Sequence, residues 1–461
     1  MKPIYIENQI LSNYKSKIFQ ELIRIIWYEN LNDINEIPQK VLKDLRNDIN
    51  KEIDEGTVIN LIRIIMGLDP IDRIDDVNLK GLINEATNLK QIQMPVISII
   101  DDACKYCESS KGECLTKSKH IHCNKESTCS SCGQCMYKCK LGAISDKIEF
   151  IPMINMLKSK EYPVYAAVAP AFIGQFGENV TAGILRSALK SIGFEDMIEV
   201  AFAADILTAK EAYSFYENMN NNNKEFFITS CCCPVWVNLV KNKFPIVADK
   251  ISTSVSPMIA CGRIIKILNP SAKVVFIGPC IAKKEEAKED ALNDAIDFVL
   301  TFEEIEQIFK ALNVNLLDIE EDAREESSYC GRIYAKSGGV SKSIEATLKE
   351  IDSSIKFKPI AFQGAKECIE GLNKVINKEL DVNFIEGMGC IGGCIGGPKK
   401  LLSVDKGSAN VDKYSNEADM KTPLDNLNVA QFLIQIGILK VENLNVKDHE
   451  KIQKIFERST K

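Results

Sequence analysis

No stretch of this 461-residue sequence approaches eighteen consecutive apolar residues. Its opening, MKPIYIENQILSNYKSKIFQ, has no uninterrupted apolar segment of the kind a secretory leader carries. Neither a membrane span nor a leader is expected, and the chain is read as cytoplasmic. Positive charge is not in excess either. The 57 Lys and Arg against 64 Asp and Glu leave a net charge of −7, which disfavours a nucleic-acid partner. No periodic internal repeat stands out. With 45% hydrophobic and 26% charged residues, the composition is that of a globular protein, long enough for two or three domains with sizeable cores. Before residue 104 there is no cysteine at all.

After that point there are seventeen. In a reducing compartment such numbers point to metal ligands or catalytic thiols, with a few buried apolar ones. Eight fall between Cys104 and Cys139, and three are adjacent in TSCCCPVW at 229–236. The rest are Cys261, Cys280, Cys330, Cys368, Cys390 and Cys394. Cys261, Cys330 and Cys368 stand alone and read as buried structural thiols. The clusters do not.

Residues 1–95 read as a helical domain without chemistry. Ile18, Leu22, Ile25 and Ile26 recur at helical spacing, and TVINLIRIIMGLDP repeats the pattern until Pro70 stops it. Residues 96–150 are rich in Cys, Lys and Ser, with too few large apolar residues to fold without metal. From about 160 the pattern turns to short apolar runs between amphipathic segments, the signature of an α/β sheet. YPVYAAVAP, KEFFITSC, AKVVFIGPC and DVNFIEGMGC each read as a buried strand ending in a Pro, Cys or Gly cluster. Ligands of such sheets bind beyond the carboxyl ends of the strands, so these four tips are expected to meet at one site. NMNNNNKE at 218–225 reads as a solvated loop, and the tail after about 400 as a polar loop followed by helices such as VAQFLIQIGIL.

Cys129, Cys132, Cys135 and Cys139 form C-x2-C-x2-C-x3-C. Two-residue gaps turn three thiolates onto one iron–sulfur cube while the fourth reaches a neighbouring cluster. Cys104, Cys107, Cys114 and Cys123 make a stretched version. The expected sharing is Cys104, Cys107 and Cys114 with Cys139, and Cys129, Cys132 and Cys135 with Cys123. Zinc prefers two pairs separated by a longer loop, so two 4Fe–4S clusters are the expectation. Lys140 stands where proline usually follows the last cysteine, and His122 is left on the surface. Residues 104–147 hold eight lysines against four acids, a local +4 that leaves −11 on the remainder. Such a patch would attract an acidic electron carrier, unless these lysines only solvate a small domain.

GMGCIG at 387–392 matches a dinucleotide-binding fingerprint, with Asp405 at a plausible later position. The following GCIGGPKK cannot begin the required helix, because its glycines and Pro398 disfavour one. No Gly-Lys-Ser/Thr follows for a phosphate loop. These glycines more plausibly let the backbone wrap closely around a metal cluster.

TSCCCPVW, GPCIAKKEE and EGMGCIGGCIGGP resemble, in order and spacing, the three signatures of the iron-only (FeFe) hydrogenases. VAPAFIGQFG and GRIYAKSGGV resemble connecting segments of that family. The resemblance covers about residues 100–400, and the tripled cysteine and Gly-Pro before Cys280 are similar to its less-studied branch. It implies a two-lobed parallel-sheet catalytic domain over 151–402 with the active site between lobes. With it come a ferredoxin-like 4Fe–4S domain over 96–150, the N-terminal helical domain, and a C-terminal helical segment over 403–461.

The implied activity interconverts protons and electrons, the latter from reduced ferredoxin, with dihydrogen. The implied cofactor is a 4Fe–4S cluster joined to a two-iron unit bearing carbon monoxide, cyanide and a bridging azadithiolate, and its assembly needs dedicated maturation enzymes. Cys233, Cys280, Cys390 and Cys394 would hold the cube, with Cys394 bridging to the two-iron unit. Cys232 matches the cysteine that passes protons to the bridging amine, and Cys231 stands where the family often has serine. Thiolates are soft ligands suited to iron, and a thiol near its reference pKa of about 8.5 can exchange protons near neutrality.

Lys283 is placed to donate to a cyanide; otherwise it is a helix-surface lysine. Ala169 and Pro170 match backbone neighbours of the two-iron unit, and Met388 a packing residue or a core thioether. Gly278 stands where methionine is common, Ala171 where serine is, and Met258 where glutamine usually follows Ser-Pro. TAKEAYSF offers Glu211 as the first carboxylate of a proton path, but Ser214 falls near the expected second one. Two alternatives remain: a non-catalytic relative that carries clusters for assembly, against which Cys232 argues, and a hydrogen sensor, which usually has an appended signalling domain.

Overall fold

The computed structural model describes residues 10–31, 33–49, 53–72, 78–92, 94–105, 107, 129–221, 226–229, 232–445 and 449–458. The chain divides into two compact units, Met1–Tyr162 with Glu303–Asn315, and Pro163–Phe302 with Leu316–Lys461.

In the first unit the amphipathic segments fold as helices Ile10–Trp27, Ile37–Ile49, Glu55–Ile65, Leu79–Thr87 and Phe150–Ser159. Ile18, Leu22, Ile25 and Ile26 are all buried, as their spacing requires. Asp54 caps the third helix by accepting from the Thr57 N–H at 2.8 Å. That helix does not run to Pro70. It ends at Ile65, and Gly67 takes a left-handed φ of 81°, a conformation that glycine enters without the Cβ penalty. Helix Phe302–Ala311 belongs to this unit from Glu303 on, and Gln20 Nε2 donates to Gln307 Oε1 at 2.6 Å.

Strands β1 (Ile97–Ile99) and β2 (Ile144–Asp146) pair antiparallel, Ile97 opposite Asp146, and bracket the cysteine-rich stretch. Lys15 Nζ reaches Asp146 Oδ1 at 3.0 Å from the first helix, fixing one end of this ribbon.

The second unit contains two parallel sheets. One has the order β4–β3–β6–β7, with β3 at Val164–Val168, β4 at Asp196–Glu199, β6 at Lys273–Gly278 and β7 at Phe298–Thr301. The other has the order β5–β9–β8, with β5 at Phe227–Ile228, β8 at Pro359–Gln363 and β9 at Phe384–Met388. The architecture is α/β, and the sheets form its two lobes. The four apolar runs of the sequence become β3, β5, β6 and β9. They belong to two sheets: β3 lies beside β6 in one and β5 beside β9 in the other.

Helices cover the sheets. Helix Val200–Asn220 packs on Pro257–Leu268, whose Ser256 cap and first-turn Pro257 set its start. The Asn run expected as a loop begins within Val200–Asn220. Asn218 and Asn220 belong to that helix, and 222–225 fall outside the described residues. The polar start of the tail is helical as well, over Val404–Asn416, capped by Ser403. Its low apolar content hid it, because only Gly407, Val411 and Ser415 face inward. Among the described residues no helix is long and apolar enough to cross a membrane.

Candidate active site

The cysteines stand at the strand tips. Cys233 follows β5 and is the N-cap residue of helix Pro234–Lys243, with Pro234 in the first turn. Cys280 follows β6, and Cys390 follows β9. Cys394 opens the short turn Cys394–Gly396. The first four residues after Met388 build no long helix, so the dinucleotide reading of GMGCIG fails here on geometry as well.

These tips touch. The Gly389 N–H donates to Cys233 Sγ at 3.3 Å. Lys399 N–H donates to the Pro279 carbonyl at 3.0 Å, tying the loop after Cys394 to the residue before Cys280. The approach is so close that a Cβ at Gly397 would lie 2.6 Å from the Pro279 carbonyl oxygen. One at Gly387 would lie 2.2 Å from the buried ring of Trp236. The glycines at 387 and 397 leave room for a buried ring and a neighbouring carbonyl, respectively.

Burial dominates the electrostatics. It pushes the Cys280 thiol up to about 11, with Cys233 adding to the shift and Lys283 opposing it. Burial pushes Cys394 up to about 12, with Cys233 and Cys280 adding. Thiols this hard to ionise need a cation to hold them as thiolates. Backbone N–H groups of Lys283 and Ala282 point at the Cys280 sulfur. The donor set is thiol only and supplied with N–H donors, which fits an iron–sulfur cluster. Among the described residues no three His, Cys, Asp or Glu side chains stand close enough to share a single ion.

Lys283 is buried, not a helix-surface lysine. Burial pushes its ammonium down, but the charge and hydrogen bond of Glu286, with Cys280 and Cys232 behind them, outweigh that and raise it above the ordinary lysine value. Met388 is buried at the end of β9 in an apolar cluster, against which Cys232 and Cys233 pack. Ala169 and Pro170 are buried after β3, where the Ala169 N–H donates to the Ile277 carbonyl at 2.9 Å. A Cβ at Gly278 would lie 2.7 Å from the Phe276 ring and 3.1 Å from Ala169 Cβ. Phe276 thus occupies room that a larger residue at 278 would need.

Glu211 is 2% exposed on helix Val200–Asn220. Ser252 Oγ and Ser254 Oγ donate to its Oε1 at 2.5 and 2.6 Å, and Thr229 Oγ1 donates to Oε2 at 3.3 Å. Thr229 begins the TSCCCPVW motif. Sequence reasoning missed these hydroxyls, although Ser252, Ser254 and Ser256 alternate before Pro257 as a polar face of extended chain would. It also missed Glu286, whose signal was its spacing of three from Lys283 on one helix. The lone thiols Cys261, Cys330 and Cys368 are all buried. Cys368 Sγ donates to the Met388 carbonyl at 3.5 Å.

In the first unit, Cys104, Cys107, Cys129, Cys132, Cys135 and Cys139 are described, whereas Cys114, Cys123 and His122 lie outside the described residues, as does Cys231 in the second. Gly133, left-handed at φ 76°, turns the chain into helix Gln134–Lys138. Cys132 is raised by burial, opposed by the backbone N–H of Gln134, with the nearby Cys129 raising it further. The Cys107 N–H donates to the Cys104 carbonyl at 3.3 Å, making a tight turn between those two thiols.

The profile of the family described as iron only hydrogenase large subunit, C-terminal domain, matches residues 162–398. The chain is 25% identical over 326 residues to the NADP-reducing hydrogenase subunit HndD of Solidesulfovibrio fructosivorans, covering 59% of this chain and 56% of that one. It is 28% identical over 327 residues to iron hydrogenase 1 of Clostridium pasteurianum, covering 58% and 56%. The chain thus spans a little over half the length of these curated relatives. An apo form of the FeFe-hydrogenase HydA1 of Chlamydomonas reinhardtii superposes with a TM-score of 0.53 at 17% identity, covering 66% of this chain and 96% of that one. That likeness speaks for the fold. Since the profile spans more than half of the sequence, and the cysteine-bearing strand tips fall inside it, this chain belongs to the iron-only hydrogenase family.

Proposed function

We propose that the protein interconverts protons and electrons with dihydrogen. What supports this reading is that the stretches after β5, β6 and β9, which carry Cys233, Cys280, Cys390 and Cys394, come together from both sheets through the Gly389–Cys233 and Lys399–Pro279 contacts. These four thiolates would hold a 4Fe–4S cluster, Cys394 bridging to a two-iron unit with carbon monoxide, cyanide and azadithiolate ligands. When bound, that group would supply the metal site at which protons and electrons meet dihydrogen.

The chain's own groups do the rest. Cys232, next to Cys233, would hold and pass a proton at Sγ. Glu211 accepts hydroxyl hydrogens on both carboxylate oxygens and can pass a proton toward the motif that starts at Thr229. The Lys283 ammonium, kept charged by Glu286, offers its remaining hydrogens to an anionic ligand. Ala169, Pro170 and Met388 wall the site with apolar surface and exclude water.

Two accessory 4Fe–4S clusters on the eight cysteines of 104–139 would feed electrons, within a four-part chain of 1–95, 96–150, 151–402 and 403–461. The excess of lysine there suits an acidic carrier such as ferredoxin; the name of one relative makes NADP-linked donors the comparison to run. Dedicated maturation enzymes are required, because no side chain can supply carbon monoxide or cyanide. Protein expressed without them should contain cubes and evolve no hydrogen, and co-expression should restore evolution from reduced ferredoxin. Full activity in the first preparation would overturn the reading.

A further inference from the structure

One chain of hydrogen bonds leaves the buried carboxylate and reaches the surface, and it ends on a residue outside the span matched by the family profile. Ser254 Oγ donates to Glu211 Oε1 at 2.6 Å. Lys210 Nζ donates to Ser254 Oγ at 2.9 Å. Lys210 Nζ also lies 2.6 Å from Glu457 Oε1. Every donor on the inner path points toward Glu211, the polarity a relay of protons moving inward requires. The side chain of Lys210 is 5% exposed and that of Glu457 24%, so the path opens to water at Glu457.

The placement of Glu457 is built, not incidental. The Val255 N–H donates to the Phe456 carbonyl at 2.8 Å, the Arg458 N–H donates to the Thr253 carbonyl at 2.9 Å, and Ser254 bridges Glu457 antiparallel. Arg263 Nη1 donates to the Glu457 carbonyl at 3.0 Å. The end of the chain is thereby stitched along the extended stretch that carries Ser252 and Ser254. Ser214, one turn beyond Glu211 on its own helix, offers a hydroxyl but no carboxylate.

We propose that Glu457 is the outer group of the proton path to Glu211, delivered by the C-terminal segment through Lys210 and Ser254. The inference rests on the hydrogenase reading for its purpose but not for its geometry. A proton from water enters at Glu457, one passes from Glu457 to Lys210, one from Lys210 to Ser254, and one from Ser254 to Glu211. Rotation of the ammonium and hydroxyl resets the chain, so one proton moves inward and no electron changes place. Glu457 acts through other residues and touches no reacting atom.

The test uses the full chain matured with its clusters, and the variants Glu457→Gln and Glu457→Ala. Gln keeps the acceptor for Lys210 and cannot carry a proton; Ala leaves room for a small acid. Hydrogen evolution is expected to fall on the order of 10²-fold in both, and acetate or imidazole should restore Glu457→Ala. Exchange of the Cys232 S–H infrared band in deuterium oxide, measured in resting protein, should slow in parallel. Evolution and exchange both equal to wild type would overturn the proposal. So would a loss that small acids do not restore and that leaves exchange unchanged, because Glu457 would then only hold the fold. The exchange arm needs no turnover. If wild-type protein evolves no hydrogen, the hydrogenase reading falls, and exchange still judges the relay.

Discussion

Lys283 Nζ donates to Glu286 Oε2 at 2.5 Å, one helical turn away, with both side chains buried. Arg458 approaches the other oxygen of Glu286 at 3.5 Å, so this carboxylate is shared by two cations. A buried ion pair stripped of one partner leaves an uncompensated charge, which costs about 3–5 kcal/mol. Glu286→Gln is therefore expected to lower the unfolding free energy by that order and to weaken hydrogen evolution. Lys283→Met, which removes the ammonium and leaves Glu286 to Arg458 alone, should also shift the cyanide bands of the matured protein. Unchanged bands in Lys283→Met would detach this lysine from the site.

Asp205 carries a separate, pH-dependent signature. Ser328 N–H and Oγ donate to it at 2.7 and 2.5 Å and Asn426 Nδ2 at 2.8 Å, but no cation pairs with it among the described residues. Burial pushes its carboxyl up to about 6, against those hydrogen bonds. The folded state therefore binds the proton more tightly than the unfolded chain, whose Asp titrates near 3.9. Between about pH 4 and pH 6 this group makes the fold lose stability as pH rises, by on the order of 2–3 kcal/mol in total. Chemical denaturation of wild type and Asp205→Asn from pH 4 to 7 should show a difference that changes across this window and levels off above it. A pH-independent difference would mean that Asp205 titrates normally.

Much of this was legible in advance, because the chemistry is written in sulfur and the strands in apolar runs. Cys280 and Cys390 could be placed at strand ends before any coordinates. Short strands such as β4 and β7 were not, since DMIE and FVLT are too brief to show a period. Nor could the sequence show that β3 and β6 lie in one sheet and β5 and β9 in the other, which depends on long-range parallel pairing. Helix Val404–Asn416 was hidden by its polarity. The contact of Lys210 with Glu457 joins distant segments and leaves no local pattern. The Ser252 and Ser254 pair did leave one, in its alternation.

The module from 104 to 139 should be separable from the active site. Burial raises the Cys132 thiol, the Gln134 N–H approaches it, and the proposal above makes it a ligand of an accessory cluster. Cys132→Ala should bleach part of the iron–sulfur absorbance and cut hydrogen evolution from reduced ferredoxin. Evolution with a small reduced dye, which can deliver electrons without the module, should stay near wild type. Equal losses with both donors would contradict an electron-relay role.

Cys232 and Cys231 should part company. Cys232 packs against the cluster of Met388 and Phe384 beside Cys233, and contributes to the charge environment of Lys283. Cys232→Ala should reduce turnover by roughly 10² to 10⁴, the usual worth of a positioned proton carrier. Cys231→Ser, which restores the residue common in the family, should retain most of it. Both variants must first be matched in iron content. The reverse ranking would shift the register of the triplet by one residue.

Cys233, Cys280, Cys390 and Cys394 are proposed to hold a hydrogenase cluster. This assignment is tested most directly by the infrared spectrum of protein co-expressed with its maturation enzymes. The expected result is sharp bands in the carbonyl and cyanide stretching regions that vanish when Cys394 is replaced by alanine. Protein with its cubes filled but without such bands would show that these cysteines hold no two-iron unit.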